Sequence, residues 1–260
     1  MYLDRWEIWD RWIRIAGAAA DRRKGDLRMK VSEALSGIRV LDLFGEARIA
    51  TQPKVPVPVY GERIVDGLRI WDPHRSKLAA LLTKSLLAGG LAGLVGVLNL
   101  SPGSSVLYLG AATGTTASHV SDLVPDGLVY AVELSPRAIR DLLGLCQARD
   151  NIVPIFEDAF HPERYASFLE PVDLVYQDVA QRNQAEIANL NVARYLKPGG
   201  TLVLMIKARS VDVTADPKEV AKAEVEGLEG VDLISVTDLR PYHQDHWAVV
   251  ARKSSAVLKQ

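Results

Sequence analysis

Apolar residues in this chain come in short runs, and most of those runs end on a charged or amide side chain. Val106-Leu107-Tyr108-Leu109 is too short for a helix and predicts a buried strand. Leu128–Val132, Ile152–Phe156, Val172–Tyr176 and Thr201–Ile206 repeat the pattern, and two final strands are predicted over Asp232–Asp238 and Trp247–Arg252. Helical stretches lie between them. Thr115–Leu123 follows the first strand, and Gln184–Leu196 is stopped by Lys197-Pro198-Gly199-Gly200. Asp216-Pro217 opens another that runs to about Leu228. Strand–helix alternation of this kind predicts an α/β fold, a mostly parallel sheet with helices on both faces.

The first part of the chain reads differently. Ile38–Phe44, Ala47–Thr51, Arg63–Val65 and Leu68–Ile70 are short strand-like runs, with Asp66-Gly67 as a hairpin signal. Pro53, Pro56 and Pro58 force an extended link. The expected division is a small β domain over 29–70, a Rossmann-like domain over 71–260, and an extension over 1–28. Within that extension Trp6, Trp9, Ile13 and Ala16-Gly17 recur at helical spacing, as in an amphipathic docking arm or a frayed tail. Asp72-Pro73 is expected to open a helix whose first turns carry Arg75 and Lys77. Positive charge there opposes the helix dipole, a local cost that points to a use. Leu86–Leu98, thirteen apolar or glycine residues, is too short to span a bilayer and reads as a helix end followed by a loop.

Composition narrows the class. Across 260 residues, 48% hydrophobic and 24% charged content suit a globular protein with a large core. A net charge of −1 provides no global basic field for nucleic acid, so any RNA contact must be local or delegated to a partner. The single cysteine, Cys146, excludes an internal disulfide and reads as a small buried hydrophobe. The N-terminus has no secretory signal pattern.

Candidate chemistry gathers at the strand ends. Gly110, Ala111, Ala112 and Gly114 form a small-residue turn from strand to helix, which lets a ligand approach the main chain. Thr115 and Thr116 stand where a hydroxyl can cap the helix. Glu133 ends the next strand, nineteen residues after Gly114 and close to the ~20 expected for an acid that binds a ribose diol. Asp158, Asp178 and Lys207 end the following strands. In open α/β sheets such carboxyl ends share one edge. Asp158 is expected beside a nucleoside base, Glu133 at its sugar, and Asp178 deeper, facing Lys207. His246 joins them if the last loop folds over the same edge. A metal site from His243, Asp245 and His246 lacks supporting ligand spacing, and no metal is expected.

The blocks Arg75-Ser76-Lys77-Leu78-Ala79-Ala80, Tyr108 through Asp122, Tyr130-Ala131-Val132-Glu133, Arg140-Asp141-Leu142-Leu143, Asp178-Val179-Ala180-Gln181 and Ile206-Lys207-Ala208-Arg209-Ser210 resemble the fibrillarin family. The resemblance is to the shorter archaeal form, which lacks a glycine- and arginine-rich tail. It implies a class I S-adenosylmethionine-dependent methyltransferase acting on the ribose 2′-hydroxyl of rRNA and tRNA. It further implies that Gly110, Ala112 and Gly114 belong to the cofactor-binding turn, that Thr115 and Thr116 meet the methionine part and that Glu133 and Leu134 meet the ribose. Asp158 and Ala159 would take the adenine, with Asp178, Val179, Ala180 and Gln181 at the reacting end. The family's Lys-Asp-Lys-His set looks carried by Lys77, Asp178, Lys207 and His246. Departures are Ala112-Thr113 in place of Ala-Ser, Leu134 where an aromatic is common, and His243 in the last loop.

These readings combine into direct methyl transfer, with Lys207 as base or orienting cation, Asp178 holding it, and Lys77 and His246 positioning the ribose. The family works in box C/D ribonucleoprotein particles. The implied partners are a guide RNA, a Nop-family scaffold and a kink-turn-binding, ribosomal-protein-like subunit, in the cytoplasm and without a membrane. Two other classes share part of the pattern. A nicotinamide-dependent dehydrogenase shares the glycine turn but not the strand-end lysine and aspartate blocks. A non-catalytic particle subunit would not need the intact four-residue set.

Overall fold

The computed structural model describes residues 37–43 and 45–254; the helix expected over residues 1–28 lies outside them. A small antiparallel sheet comes first: β1 (Ile38–Leu43), β2 (Glu46–Thr51), β3 (Ile64–Val65) and β4 (Leu68–Ile70), in the order β1-β2-β4-β3. Asp66 and Gly67 both take positive φ, 51° and 77°, which is the hairpin geometry the Asp-Gly pair predicts.

The remaining elements are α1 (Lys77–Leu87), α2 (Leu91–Leu98), β5 (Ser105–Leu109), α3 (Thr115–Leu123), β6 (Leu128–Glu133), α4 (Pro136–Cys146) and β7 (Ile152–Phe156). After a 3-10 segment at Pro162–Phe168 come β8 (Val172–Gln177), α5 (Gln184–Tyr195), β9 (Leu196–Lys207), α6 (Ala208–Val211), α7 (Pro217–Glu226), β10 (Val231–Asp238) and β11 (His246–Lys253). Seven strands make one sheet, ordered β10-β11-β9-β8-β5-β6-β7. Strands β5 to β9 run parallel, while β11 and β10 are antiparallel additions at one edge. The chain winds outward from β5 to β7, then restarts at β8 on the other side of β5. That reversal opens a crevice between the carboxyl ends of β5 and β8.

Alternation along β5 shows why both faces are covered. Val106 and Tyr108 pack with Leu78 and Leu82 of α1, Val95 of α2, Val120 of α3 and Leu142 of α4. Leu107 and Leu109 pack on the other face with Ile187 and Val192 of α5 and Val225 of α7. Side chains on successive strand residues point to opposite faces, so a strand buried on both reads as a continuous apolar run.

Four expectations need correction. Leu91–Leu98 is a helix and not a loop: Leu91, Val95 and Leu98 fall on one buried face, and that spacing outweighs the glycines. Asp72-Pro73 forms a turn, with the Asp72 carbonyl accepting from Arg75 and Ser76; α1 begins at Lys77, with Ser76 as its cap. Strand β9 starts at Leu196, so Pro198-Gly199-Gly200 lies within the strand and not in a helix stop. Finally, Cys146 is only half-buried.

A buried polar network joins the small sheet to the large one. Arg69 of β4 is fully buried; its guanidinium donates to Glu62 (2.6 Å), Asp122 of α3 (2.6 Å) and the Ser118 hydroxyl (2.9 Å). Asp122 also receives Arg149 (2.7 Å), the Thr51 hydroxyl (2.8 Å) and the Lys54 amide (2.9 Å). Because Thr51 gives its proton to Asp122, it accepts from His119 Nδ1; Tyr60 then donates to His119 Nε2, also at 2.8 Å. The imidazole is neutral, satisfied at both nitrogens and stacked on Trp71. Burial, then Arg69 and Arg149, hold its pKa well below the usual histidine value.

Candidate active site

The turn after β5 owes its shape to three residues with positive φ: Gly110 (79°), Ala112 (49°) and Gly114 (90°). Gly110 is required by proximity as well, since a Cβ there would lie 2.8 Å from the Asp178 carbonyl oxygen. At Gly114 a Cβ would meet Leu145 at 2.4 Å. Glu133 braces this turn: one carboxylate oxygen accepts from the Ala112 amide and the other from Ser135, both at 2.7 Å. A carboxylate has about four acceptor sites, so two remain for a diol. Leu134 (51% exposed) and Phe156 (55% exposed) form an apolar lip beside Glu133.

Asp158, beyond β7, accepts from the Phe160 amide and from Gln181 Nε2, both at 2.9 Å. The expected nucleoside and reacting-end residues are therefore bonded to each other across the crevice. One expectation at the turn needs correction. Thr115 and Thr116 do not cap α3: Gly114 is its cap residue, and Thr116 donates to the Ser76 hydroxyl at 2.9 Å. The small, left-handed cap leaves the first amides of α3 without a side-chain partner from within the helix. The side chains of Val179 and Ala159 are buried in the core, so only their main chain faces the edge. Thr113 and Thr115 border a groove of about 480 Å³ with Val55, Tyr60, Leu145 and Arg149.

The four residues expected at the acceptor come together at the crevice. Lys207 Nζ donates to the Asp178 main-chain carbonyl at 2.8 Å and lies 2.9 Å from Asp178 Oδ1. Lys77 Nζ reaches the same carboxylate from α1, 3.0 Å from Oδ1 and 3.1 Å from Oδ2. All three side chains are largely shielded, which strengthens the attraction over its value in water. His246 is the direct cross-strand partner of Lys207, so their side chains leave the same face of the sheet. Its Nδ1 sits against the Gln244 carbonyl, and a carbonyl only accepts; Nδ1 therefore carries the proton and Nε2 the lone pair. Burial, opposed by that hydrogen bond and assisted by the charge of Lys77, lowers the His246 pKa.

Two contributors escaped the sequence reading. Gln184 is fully buried and clasps the Lys207 main chain, accepting from its N–H at 2.9 Å and donating to its C=O at 3.2 Å. His243 lies within 5.9 Å of the His246 ring and bonds the Pro73 carbonyl. A glutamine at a helix start carries no signal of this; His243 is visible in the sequence only as a departure from the family pattern and as a weak metal-ligand candidate. No group of three or more His, Cys, Asp or Glu side chains among the described residues is arranged to hold a metal ion.

A seven-stranded sheet of this order, with a glycine turn, a ribose-type acid and a lysine–aspartate cluster on one edge, is that of a class I S-adenosylmethionine-dependent methyltransferase. The family model for fibrillarin matches residues 29–255. A fibrillarin-like rRNA/tRNA 2′-O-methyltransferase of Methanothrix thermoacetophila is 52% identical over 223 residues, covering 86% of this chain and 99% of that protein. Aeropyrum pernix fibrillarin, solved with natively bound S-adenosyl-L-methionine, superposes with a TM-score of 0.74 at 44% identity, covering 86% of this chain and 98% of that one. A chain of a fibrillarin/Nop5p complex gives 0.75 at 42%, covering 85% and 100%. The chain belongs to the fibrillarin family. Membership sets the dehydrogenase alternative aside.

Proposed function

We propose that this chain is the methyl-transferring subunit of a guide-RNA particle, acting on the ribose 2′-hydroxyl of rRNA and tRNA, with Lys77, Asp178, Lys207 and His246 at the acceptor oxygen. The observation that carries the site assignment is the 2.9 Å approach of Lys207 to Asp178. That contact lies at the crevice whose other wall is the Gly110 turn.

S-adenosylmethionine, when bound, supplies an electrophilic methyl group on a sulfonium. The residues present fit it. Close packing at Gly110 and the left-handed cap at Gly114 keep the turn free of side-chain bulk, Glu133 retains acceptor capacity for a ribose, and Leu134 and Phe156 offer an apolar lip. The protein's own part is orientation. Asp178 holds two ammonium groups together, and these would donate hydrogen bonds that orient the acceptor oxygen for attack. Lys207 Nζ already donates to Asp178, which supports its role as orienting cation over that of base. His246 Nε2 carries the free lone pair of a neutral imidazole beside Lys207, and we assign it the 2′-hydroxyl proton.

A Nop-family scaffold is the expected protein partner, in keeping with the fibrillarin/Nop5p relative. Near-zero net charge supports delegation of RNA choice to a guide, because base pairing can read sequence while protein contacts supply position. A kink-turn-binding subunit and a cytoplasmic setting complete this reading. No helix among the described residues is long and apolar enough to cross a membrane.

Labelled methyl transfer in a reconstituted particle tests the assignment. Lys207→Met and His246→Asn are each expected to lower kcat by about 10²- to 10⁴-fold while cofactor affinity changes little. Near-normal transfer by either variant would overturn the role given to that residue.

A further inference from the structure

The four-residue set draws on two parts of the chain far apart in sequence, and one side chain straps them together. Lys207 and His246 sit at the facing ends of β9 and β11, while Lys77 is the first residue of α1. Asp178 joins the two lysines by ion pairs and hydrogen bonds, but a long lysine stem reaches many positions. Something must therefore place the start of α1 itself. Ser76 does part of this through its cap on Ala79 and its bond from Thr116. The turn before it, 72–75, is held from the opposite side by the loop 239–245.

That loop is firmly built. The Leu239 carbonyl accepts from Tyr242 (3.0 Å) and His243 (3.1 Å), Leu239 N–H bonds the His246 carbonyl (2.9 Å), and the Asp245 carbonyl accepts from Ala208, next to Lys207. Arg209 pairs with the Asp245 carboxylate at 3.1 Å. From this platform His243 Nε2 reaches the Pro73 carbonyl at 2.8 Å, and the Tyr242 ring stands edge-on to His74. The carbonyl only accepts, so Nε2 is the protonated nitrogen. Burial, then the charge of Lys77, lowers the His243 pKa, and Asp178 and His246 are the other titrating groups that act on it. The strap is thus a neutral donor whose near neighbours are the set itself.

We propose that His243 is a positioning residue for methyl transfer: its Nε2–H, given to the Pro73 carbonyl, sets the start of α1 so that the Lys77 ammonium meets Asp178 opposite Lys207 and His246. The inference rests on the role given to Lys77 above and adds a residue outside the four-residue set. His243 contributes nothing to the bond-making step and acts on rate only through where Lys77 stands.

The test uses the reconstituted particle, with kcat and KM for S-adenosylmethionine measured separately. His243→Phe keeps ring bulk and removes the donor; His243→Gln keeps an N–H of similar reach. We expect His243→Phe to lower kcat about 5- to 30-fold with KM within about twofold of wild type, and His243→Gln to recover most of the loss. Against a Lys77→Met background, His243→Phe should change kcat by less than about twofold, since its route is gone. Wild-type kcat for His243→Phe, equal losses for Phe and Gln, or an undiminished effect on the Lys77→Met background would each overturn the proposal. Lys77→Met at the wild-type rate would instead sink the role of Lys77. Unchanged cofactor affinity by titration calorimetry certifies that each variant is folded at the site.

Discussion

Gly110→Ala makes the sharpest demand on this account, because one added carbon tests the turn and the acceptor cluster together. Gly110 takes a φ of 79°, where a side chain costs about 1–2 kcal/mol. The new Cβ would lie 2.8 Å from the Asp178 carbonyl oxygen and 3.0 Å from its carbon, whereas ordinary contact begins at 3.4 Å. Backbone must then yield by roughly 0.6 Å, for a total loss of about 2–4 kcal/mol. The group that yields is the carbonyl to which Lys207 donates at 2.8 Å. A displacement of that size at an acceptor site costs about 10- to 100-fold in rate. Single-turnover methyl transfer in the reconstituted particle, with urea unfolding of the free chain, reads both quantities. Gly144→Ala is the control: α4 is ordinary helix there, nothing lies within 4 Å, and the change should be neutral or stabilise by up to about 1 kcal/mol. If Gly110→Ala unfolds and turns over like the wild type, the close approach of the two strand ends is not what demands glycine.

Arg69→Met should lower stability by about 3–5 kcal/mol, because Glu62 and Asp122 stay buried with one cation fewer; at roughly 2–4 °C per kcal/mol the melting point falls by about 6–20 °C, and a drop under about 2 °C would show that Arg149 suffices. His119 and His246 both have pKa values below the usual histidine range in the fold. The unfolded chain then binds more protons below about pH 6.5, so stability is complete above that value and declines as pH falls; a urea midpoint flat from pH 7 to 5 would contradict this. The same shift predicts a pH–rate profile level through neutrality and falling in acid as His246 takes a proton, with that acid limb lost in the residual activity of His246→Asn.

The linear chain determined more of this protein than its length suggests. Short apolar runs define the parallel strands, because a strand buried on both faces is apolar along most of its length and turns polar near where the crevice begins. Glu133 and Lys207 accordingly end β6 and β9, Asp178 follows the last residue of β8, and the spacing from Gly114 singles out Glu133. The β hairpin was equally legible, since Asp-Gly accepts the positive φ values a tight turn demands. The four glycines of Leu86–Leu98 weigh against a helix in isolation, whereas tertiary burial of Leu91, Val95 and Leu98 supplies the stability that propensity lacks over Leu91–Leu98.

Three-dimensional packing decided the remainder. Only the fold brings Lys77 to Asp178, a hundred and one residues apart in sequence, and only the fold turns Thr116 away from a capping role and toward Ser76. Arg69, Asp122, His119 and Arg149 carry no periodic signature; they are buried because each satisfies the others, a condition that exists only after the two sheets have met. His243 and Gln184 act through bonds to main-chain carbonyl and amide groups, and the sequence does not encode such partners locally. Hydrophobic periodicity is a property of neighbours along the chain, whereas charge pairing and strap contacts are properties of neighbours in space. The first reveals the sheet edge, and the second decides which groups meet on it.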